Sequence, residues 1–420
     1  MKILWFANTP CGATKKLSPD LNVGGWLPSL EKELASVNDI ELSVAFYWDM
    51  HLDNFEFNDV TYYPIHRTKK SKLKNKLTNL TDDSSEVESC LNIVQLVNPN
   101  IIHIHGTEDN FGLIQEYTDI PIIVSIQGLL APYAEKFYSG IPKAIADKYE
   151  TLKDRIIKNT ESDTYKRFYL RGEREKKILS LSKNIMGRTD WDRRISQFLS
   201  PNSKYFVGEE ILRGNFYSTD LTSKNYFAIE KNTYILTSTI SGGLYKGIET
   251  LFKCARLLKE QNLFSFEWNI IGLNPSSKYI KIVSNWLKIS PLAYNINLLG
   301  NKNEFEMTEI FKRTNAYVHM SHIENSPNSV CEAMLVGLPV IASNVGGTSS
   351  LITDGVDGLL YQDGEIYTLA SLINELRINK NDSMQSLRSN ARKTALKKHD
   401  PNTIVNNLVS TYNSIISELT

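Results

Sequence analysis

Cysteine is scarce in this chain and scattered. Cys11, Cys90, Cys254 and Cys331 lie far apart, with no CxxC pair and no histidine beside any of them. That spacing argues against a zinc ribbon or a disulfide framework and fits a reducing compartment. No sign of charge dominates. Lys plus Arg number 47 and Asp plus Glu number 47, so no global field draws the chain to nucleic acid. Long apolar runs are missing as well, and none approaches the roughly 18 residues that a membrane-spanning helix needs. The opening MKILWFANTP has one lysine followed by five apolar residues. That is too short for a signal-peptide core and suits a buried first strand, so a cytoplasmic protein is expected. Internal repeats and low-complexity tracts are absent too.

What is present is an ordinary folding composition, 41% apolar and 22% charged over 420 residues. A chain of this length exceeds one core, and two domains of about 200 residues are expected. Short apolar runs recur between helical stretches. In the first half they are Lys2–Ala7, Leu42–Tyr47, Val60–Pro64, Ile101–His105, Ile122–Ile126, Asn184–Gly187 and Lys204–Val207. In the second half they are Thr233–Thr237, Glu267–Ile271, Ile296–Leu298, Ala316–Met320, Val340–Ala342 and Gly358–Tyr361. Several are apolar throughout, as strands are when helices cover both faces of a parallel sheet. The pattern predicts an α/β protein with two doubly wound, Rossmann-like domains. The polar, aperiodic stretch Arg213–Lys224 marks the boundary, giving domains 1–215 and 216–400. Ile404, Leu408, Tyr412 and Ile415 predict an amphipathic terminal helix over 401–420 that packs back toward the first domain. A long charged, Tyr-rich helical region, Pro142–Ser182, is expected to pack on one side of the first domain.

The stretch SHIENSPNSVCEAMLVGLPVIASNVGG carries the most chemistry. Ser326-Pro327 predicts an N-cap followed by proline at the first helical position. Gly337-Leu338-Pro339 predicts the helix stop. Val330, Ala333, Met334 and Gly337 form the core face, and Glu332, about 200° from Val330, points away from it. Glu324 stands before the helix, eight residues from Glu332. The free N–H groups of Asn328 and Ser329 at the helix mouth can hold an anion or a hydroxyl. Ionised acids accept hydroxyl hydrogen bonds rigidly, which suits sugar and ribose.

On these residues the chain resembles the family 4 glycosyltransferases, of the retaining GT-B class. The resemblance covers nearly the whole chain and is strongest over Tyr317–Tyr361. It implies two Rossmann-like domains facing each other across a cleft. It implies a nucleotide-diphosphate sugar as donor and a hydroxyl of a glycan, here expected to be lipid-linked, as acceptor. It assigns Glu324 to the sugar hydroxyls and Glu332 to the ribose, and brings the amides near Asn328 and Ser329 to the sugar. Many members have glycine where Ser326-Pro327 stands, so this loop is stiffer.

Other positions take their meaning beside that resemblance. Gly24-Gly25-Trp26 precedes the predicted helix Leu27–Ala35, and two glycines there let the backbone approach a phosphate; the pair resembles the family's glycine loop over the donor diphosphate. Lys246, at a helix mouth, can neutralise a departing diphosphate. The family's usual arginine partner about six residues earlier is replaced by Ile240, and Arg188 is the substitute candidate. Gln127 stands where the family often has histidine near the sugar, so no histidine acid or base acts there. His105 ends a strand at the ligand side of the sheet, where a structural role is equally open. Asp190-Trp191-Asp192 matches a metal-binding D-x-D formally, but reads as the acidic start of a helix, and no metal or cofactor is expected. Arg67–Lys76 holds six basic residues and no acid. Lys69, Lys70, Lys72 and Lys74 are candidates for an acceptor diphosphate or the inner membrane surface. Two alternatives to transfer stay open: a nucleotide-sugar epimerase of the same fold, and a donor-binding module without catalysis.

Overall fold

The computed structural model describes residues 1–18, 25–67, 84–222, 233–379 and 382–418. Gly24 and the lysines at 69, 70, 72 and 74 lie outside that set. The strands are β1 (Lys2–Ala7), β2 (Glu41–Trp48), β3 (Phe55–Phe57), β4 (Val60–His66), β5 (Ile101–His105), β6 (Ile122–Ser125), β7 (Asn184–Gly187) and β8 (Lys204–Val207) in the first half. They form one sheet in the order β3-β4-β2-β1-β5-β6-β7-β8. The second sheet holds β9 (Thr233–Thr239), β10 (Ser265–Ile271), β11 (Ile296–Gly300), β12 (Ala316–His319), β13 (Val340–Ser343) and β14 (Leu359–Tyr361). Its order is β11-β10-β9-β12-β13-β14. Apart from β3, which runs antiparallel to β4, the pairings are parallel.

Why these runs become strands is visible in their burial. Ile3 to Ala7 of β1 and all of β5, β6, β7, β12 and β13 are inaccessible. Helices cover both faces, so alternation would leave polar groups stranded. Strand β3 was not anticipated. Its FEF lies at a sheet edge with only partial burial and is too short to carry a period.

The Pro142–Ser182 region departs from expectation twice. It is three helices, Lys143–Lys148, Leu152–Ile156 and Glu161–Leu181. Thr151 with Asp154, and Thr160 with Asp163, form capping boxes that restart the helix each time. Nor does it pack on the first domain alone. Phe137, Ile141 and Ala146 are buried in one cluster with Leu236, Ile248 and Leu251 of the second domain. Tyr149 donates to Asn285 O, and Lys278 pairs with Glu161. At the chain's end, the helix Pro401–Ser417 lies on the first domain: Ile404, Leu408, Tyr412 and Ile415 are buried with Trp5, Leu30 and Phe46. The Tyr412 hydroxyl joins Trp5 Nε1 at 3.1 Å and His103 Nδ1 at 2.6 Å.

Candidate active site

The carboxyl ends of both sheets face a cavity of about 570 Å³. In open α/β sheets this is where loops are free to carry ligand groups. Its first-domain wall includes Gly25, Trp26, Gln127, Arg188 and Glu210, and its second-domain wall Lys246, His319, Glu324, Asn328 and Ser329.

Glu324 sits at the centre of the polar contacts. Its Oε2 accepts from Lys246 Nζ at 2.7 Å and Ser321 Oγ at 3.3 Å, and its Oε1 accepts from Tyr133 OH at 3.1 Å. Burial alone would raise this carboxyl, but Lys246 and then His319 outweigh it and hold Glu324 well below the usual carboxylate range. Burial opposes the Lys246 charge in the same way, and Glu324 more than restores it. Two glycines make the geometry attainable. A Cβ on Gly346, at φ +51°, would stand 1.9 Å from Glu324 O, and Gly347 N donates to that same oxygen. A Cβ on Gly247, at φ +72°, would stand 1.8 Å from Met320 O. Only glycine lets the Lys246 turn and the Glu324 loop approach this closely.

The helix Asn328–Leu335 starts one residue later than expected. Pro327 is the N-cap, and no side chain caps the helix. Proline has no N–H and its extended φ/ψ suits a cap, so Ser326 is freed; its Oγ and Asn328 Oδ1 are buried without a hydrogen-bond partner. Both residues line the cavity. The helix is buried from Val330 to Leu335, so the expected outward face for Glu332 is not found: its side chain is 3% exposed and does not line the cavity. Both its oxygens accept from Arg213, at 2.7 and 2.6 Å. Burial lifts its carboxyl, and Arg213 opposes the shift.

Arg188 lines the cavity, but its guanidinium lies 4.5 Å over Trp26 and pairs with Glu210 Oε1 at 3.0 Å. Burial raises the Glu210 carboxyl to about 7 despite Arg188, and Glu210 Oε2 has no partner. Gly25 is extended, with φ −161°, and a Cβ there would meet nothing within 4 Å. Gln127 donates to His105 O at 3.2 Å. Ile240 is core, 3% exposed, so that place offers no cation. His105 is fully buried against Trp5 and His103, and burial holds it neutral. Asp192 is engaged within the protein: its oxygens accept from Arg188 N, Thr189 N, Tyr205 OH and Asn325 Nδ2. Arg67, first of the basic run, is likewise committed, paired with Glu86 and Asp109 and stacked on Tyr47.

Tyr133, Asn325, Arg213 and Glu210 escaped the sequence reading, because each acts through a partner distant in the chain; His319, 3.7 Å from Glu324 and five residues before it, was missed as the end of a buried strand. Asn325 joins the domains: its Oδ1 accepts from Thr189 Oγ1 at 2.6 Å, and its Nδ2 donates to Asp192 and to Gln127 O. Its place beside Glu324 was the only available signal. His322 is clamped between Asp363, 2.6 Å from Nδ1, and Glu249, 2.8 Å from Nε2. Burial would lower it, but these two acids raise it to about 9.

Residues 222–394 match the family model of the glycosyl transferases group 1. The capsular polysaccharide biosynthesis glycosyltransferase CapM of Staphylococcus aureus is 28% identical over 127 residues, 30% of this chain and 33% of that protein. The UDP-Gal:alpha-D-GlcNAc-diphosphoundecaprenol alpha-1,3-galactosyltransferase of Escherichia coli is 27% identical over 41% of this chain and 43% of that one. The matches thus span well under half the length of these relatives. For the fold, sucrose-phosphate synthase (tll1590) from Thermosynechococcus elongatus superposes with a TM-score of 0.73 over 100% of both chains, at 14% identity. The fold is GT-B.

Proposed function

We infer that this chain, whose residues 222–394 belong to the glycosyl transferases group 1 family, is a glycosyltransferase of polysaccharide assembly. More finely, we propose a retaining, metal-independent family 4 enzyme. Its donor is a nucleotide-diphosphate sugar, and its acceptor is a hydroxyl of a glycan carried on a lipid diphosphate. The observation that carries the proposal is the Lys246–Glu324 pair on the cavity wall, beside the start of the helix Asn328–Leu335. The relatives' names supply the direction: one acts in capsular polysaccharide biosynthesis, and another's name pairs a UDP-sugar with a lipid-diphosphate glycan.

In this reading the sugar hydroxyls lie on Glu324, which stays ionised at any physiological pH and accepts without competing for a proton. The amides of Asn328 and Ser329, lacking intrahelical acceptors as first residues of a helix, hold the anionic part of the donor. The acceptor oxygen forms its bond to the anomeric carbon as the bond from that carbon to the diphosphate breaks. The bonding pair leaves on the diphosphate oxygen, which takes the acceptor's proton. Lys246 and the Gly24-Gly25 loop stabilise that leaving charge. Arg188 contributes field rather than a mobile cation, since Glu210 and Trp26 hold its guanidinium in place. Glu332 takes the ribose only through a rearrangement on binding, because both its oxygens are held by Arg213 and it does not line the cavity. Closure of the domains excludes water and limits hydrolysis. The enzyme works in the cytoplasm at the inner membrane face, with Lys69, Lys70, Lys72 and Lys74 toward the acceptor diphosphate or the lipid. No helix among the described residues is long and apolar enough to cross a membrane.

The test is sugar transfer from a panel of nucleotide sugars to lipid-diphosphate acceptors. Lys246→Ala should lower kcat about 100-fold or more, as loss of a leaving-group stabiliser does. Full activity in Lys246→Ala and Glu332→Ala would remove the roles given to them. NMR of donor incubated without acceptor separates the epimerase, which would interconvert the sugar. Tight donor binding with no transfer to any acceptor would leave a binding module.

A further inference from the structure

The short helix Leu152–Ile156 presents apolar side chains to solvent. Leu152 is 77% exposed, Ile156 81% and Ile157 43%. Leu152 and Ile156 are one helical turn apart and so share a face. A single turn cannot hold itself by propensity, and here the Thr151–Asp154 capping box fixes it. The fully exposed charges of the surrounding segment are all basic. Between residues 142 and 169, the exposed charged side chains are Lys143, Lys148, Lys153, Arg155, Lys158 and Lys166. The acids of the same stretch are partly or fully buried and already engaged: Asp147 with Lys143, Glu150 with Glu161 N, Asp154 with Thr151, Glu161 with Lys278 and Asp163 with Thr160. Exposed aliphatic side chains on a segment whose fully exposed charges are all basic, and whose acids are held by partners, complement a surface that is apolar beneath and anionic at its face.

We propose that the helix Leu152–Ile156 is a membrane foot: Leu152, Ile156 and Ile157 enter the headgroup boundary of an anionic phospholipid surface, and Lys148, Lys153 and Arg155 meet its phosphates. None of these residues lines the cleft cavity. The segment carrying the foot also carries Phe137 and Ile141 into the second-domain core, and Tyr133, just upstream, touches Glu324. Docking therefore holds the cleft's own cross-domain element against the lipid, where a lipid-linked acceptor would be found. The foot suits the proposed acceptor but does not depend on the transfer chemistry. Vesicle binding can fail while donor turnover stands, and the reverse.

The experiment is co-sedimentation of the full chain with phosphatidylcholine vesicles, with and without phosphatidylglycerol, at low and high salt. Binding is expected only with phosphatidylglycerol and should weaken with salt. Leu152→Ser with Ile156→Ser should lower partitioning about tenfold or more, because two aliphatic side chains no longer enter the boundary. The thermal midpoint and turnover of a water-soluble acceptor should not change, since both side chains are exposed. Lys153→Gln with Arg155→Gln should flatten the salt dependence. Failure of the unmodified chain to bind anionic vesicles would overturn the proposal. So would undiminished binding by the serine variant, binding that follows only the lysines at 69, 70, 72 and 74, or a serine variant whose sole change is loss of self-association.

Discussion

At the residue scale, the account turns on charges that are balanced before any substrate arrives. Lys246 is matched by Glu324, and Arg188 by Glu210. Glu324→Gln would leave Lys246 uncompensated, so the variant should bind a nucleoside diphosphate no more weakly than the unmodified chain while losing about 100-fold or more in transfer, a split that separate binding and turnover assays read directly. His322 offers a pH signature. Its charge is held to about 9, against an ordinary value of 6.5, by Glu249 and Asp363. A raised histidine contributes stability that is complete below the unfolded value and is lost as pH climbs through the folded one. Unfolding free energy should therefore fall between pH 6.5 and about 9, by on the order of 3 kcal/mol. His322→Gln should remove that slope, and urea titration across the window checks it. Glu210 slopes over a more acidic window. Its carboxyl is raised to about 7 from an ordinary 4.5, so its folded form loses stability as pH rises across that interval.

At the scale of elements, the glycine loops separate what is structurally required from what a ligand would require. Gly346→Ala forces a Cβ onto Glu324 O and should cost about 1–3 kcal/mol, with loss of donor-induced stabilisation in a thermal-shift assay. Gly25→Ala meets no obstacle in space or backbone angle, so its stability should stay within about 0.5 kcal/mol. If Gly25→Ala still raises KM, the missing side chain serves the ligand alone. The same contrast shows what was legible. The strands β1, β5 and β7 were readable nearly residue by residue, because two-faced burial demands unbroken apolar runs; the edge strand β8 was readable without being buried on both faces. The helix after Glu324 was readable from proline and glycine punctuation, though Pro327 took the cap in place of Ser326. The breaks at Thr151 and Thr160 were written as T-x-x-D and were passed over under a continuous charged pattern. Glu332 was legible as a candidate from its spacing to Glu324. Its engagement by Arg213, 119 positions away in sequence, was not, since no local pattern announces a distant partner.

At the scale of the molecule, several contacts join the two sheets across the cleft. Among them are the helical segment after β6, buried in the second domain's core, and the Asn325 contact. Asn325→Ala would leave Thr189 Oγ1 without its acceptor and remove a donor from Asp192, at about 1–3 kcal/mol per unpaired buried group. The expected result is a larger radius of gyration in solution scattering and a raised KM with a smaller change in kcat for transfer that does occur. An unchanged radius and unchanged kinetics would mean that Asn325 does not govern closure. Two domains and their α/β class were accessible from length and strand count. Which segments cross between them was not, because the apolar residues of Phe137–Ala146 look alike whichever core receives them.

The central claim is that one cavity between the sheets receives a glycosyl nucleotide on Lys246, Glu324 and the start of the helix Asn328–Leu335. The most direct measurement is a crystal structure of the protein soaked with the nucleotide sugar that raises its thermal midpoint most. The account predicts the diphosphate within hydrogen-bond reach of Lys246 Nζ and the amides of Asn328 and Ser329, with the sugar hydroxyls on Glu324. A ligand bound elsewhere, with Lys246 and Glu324 still paired and untouched, would contradict it.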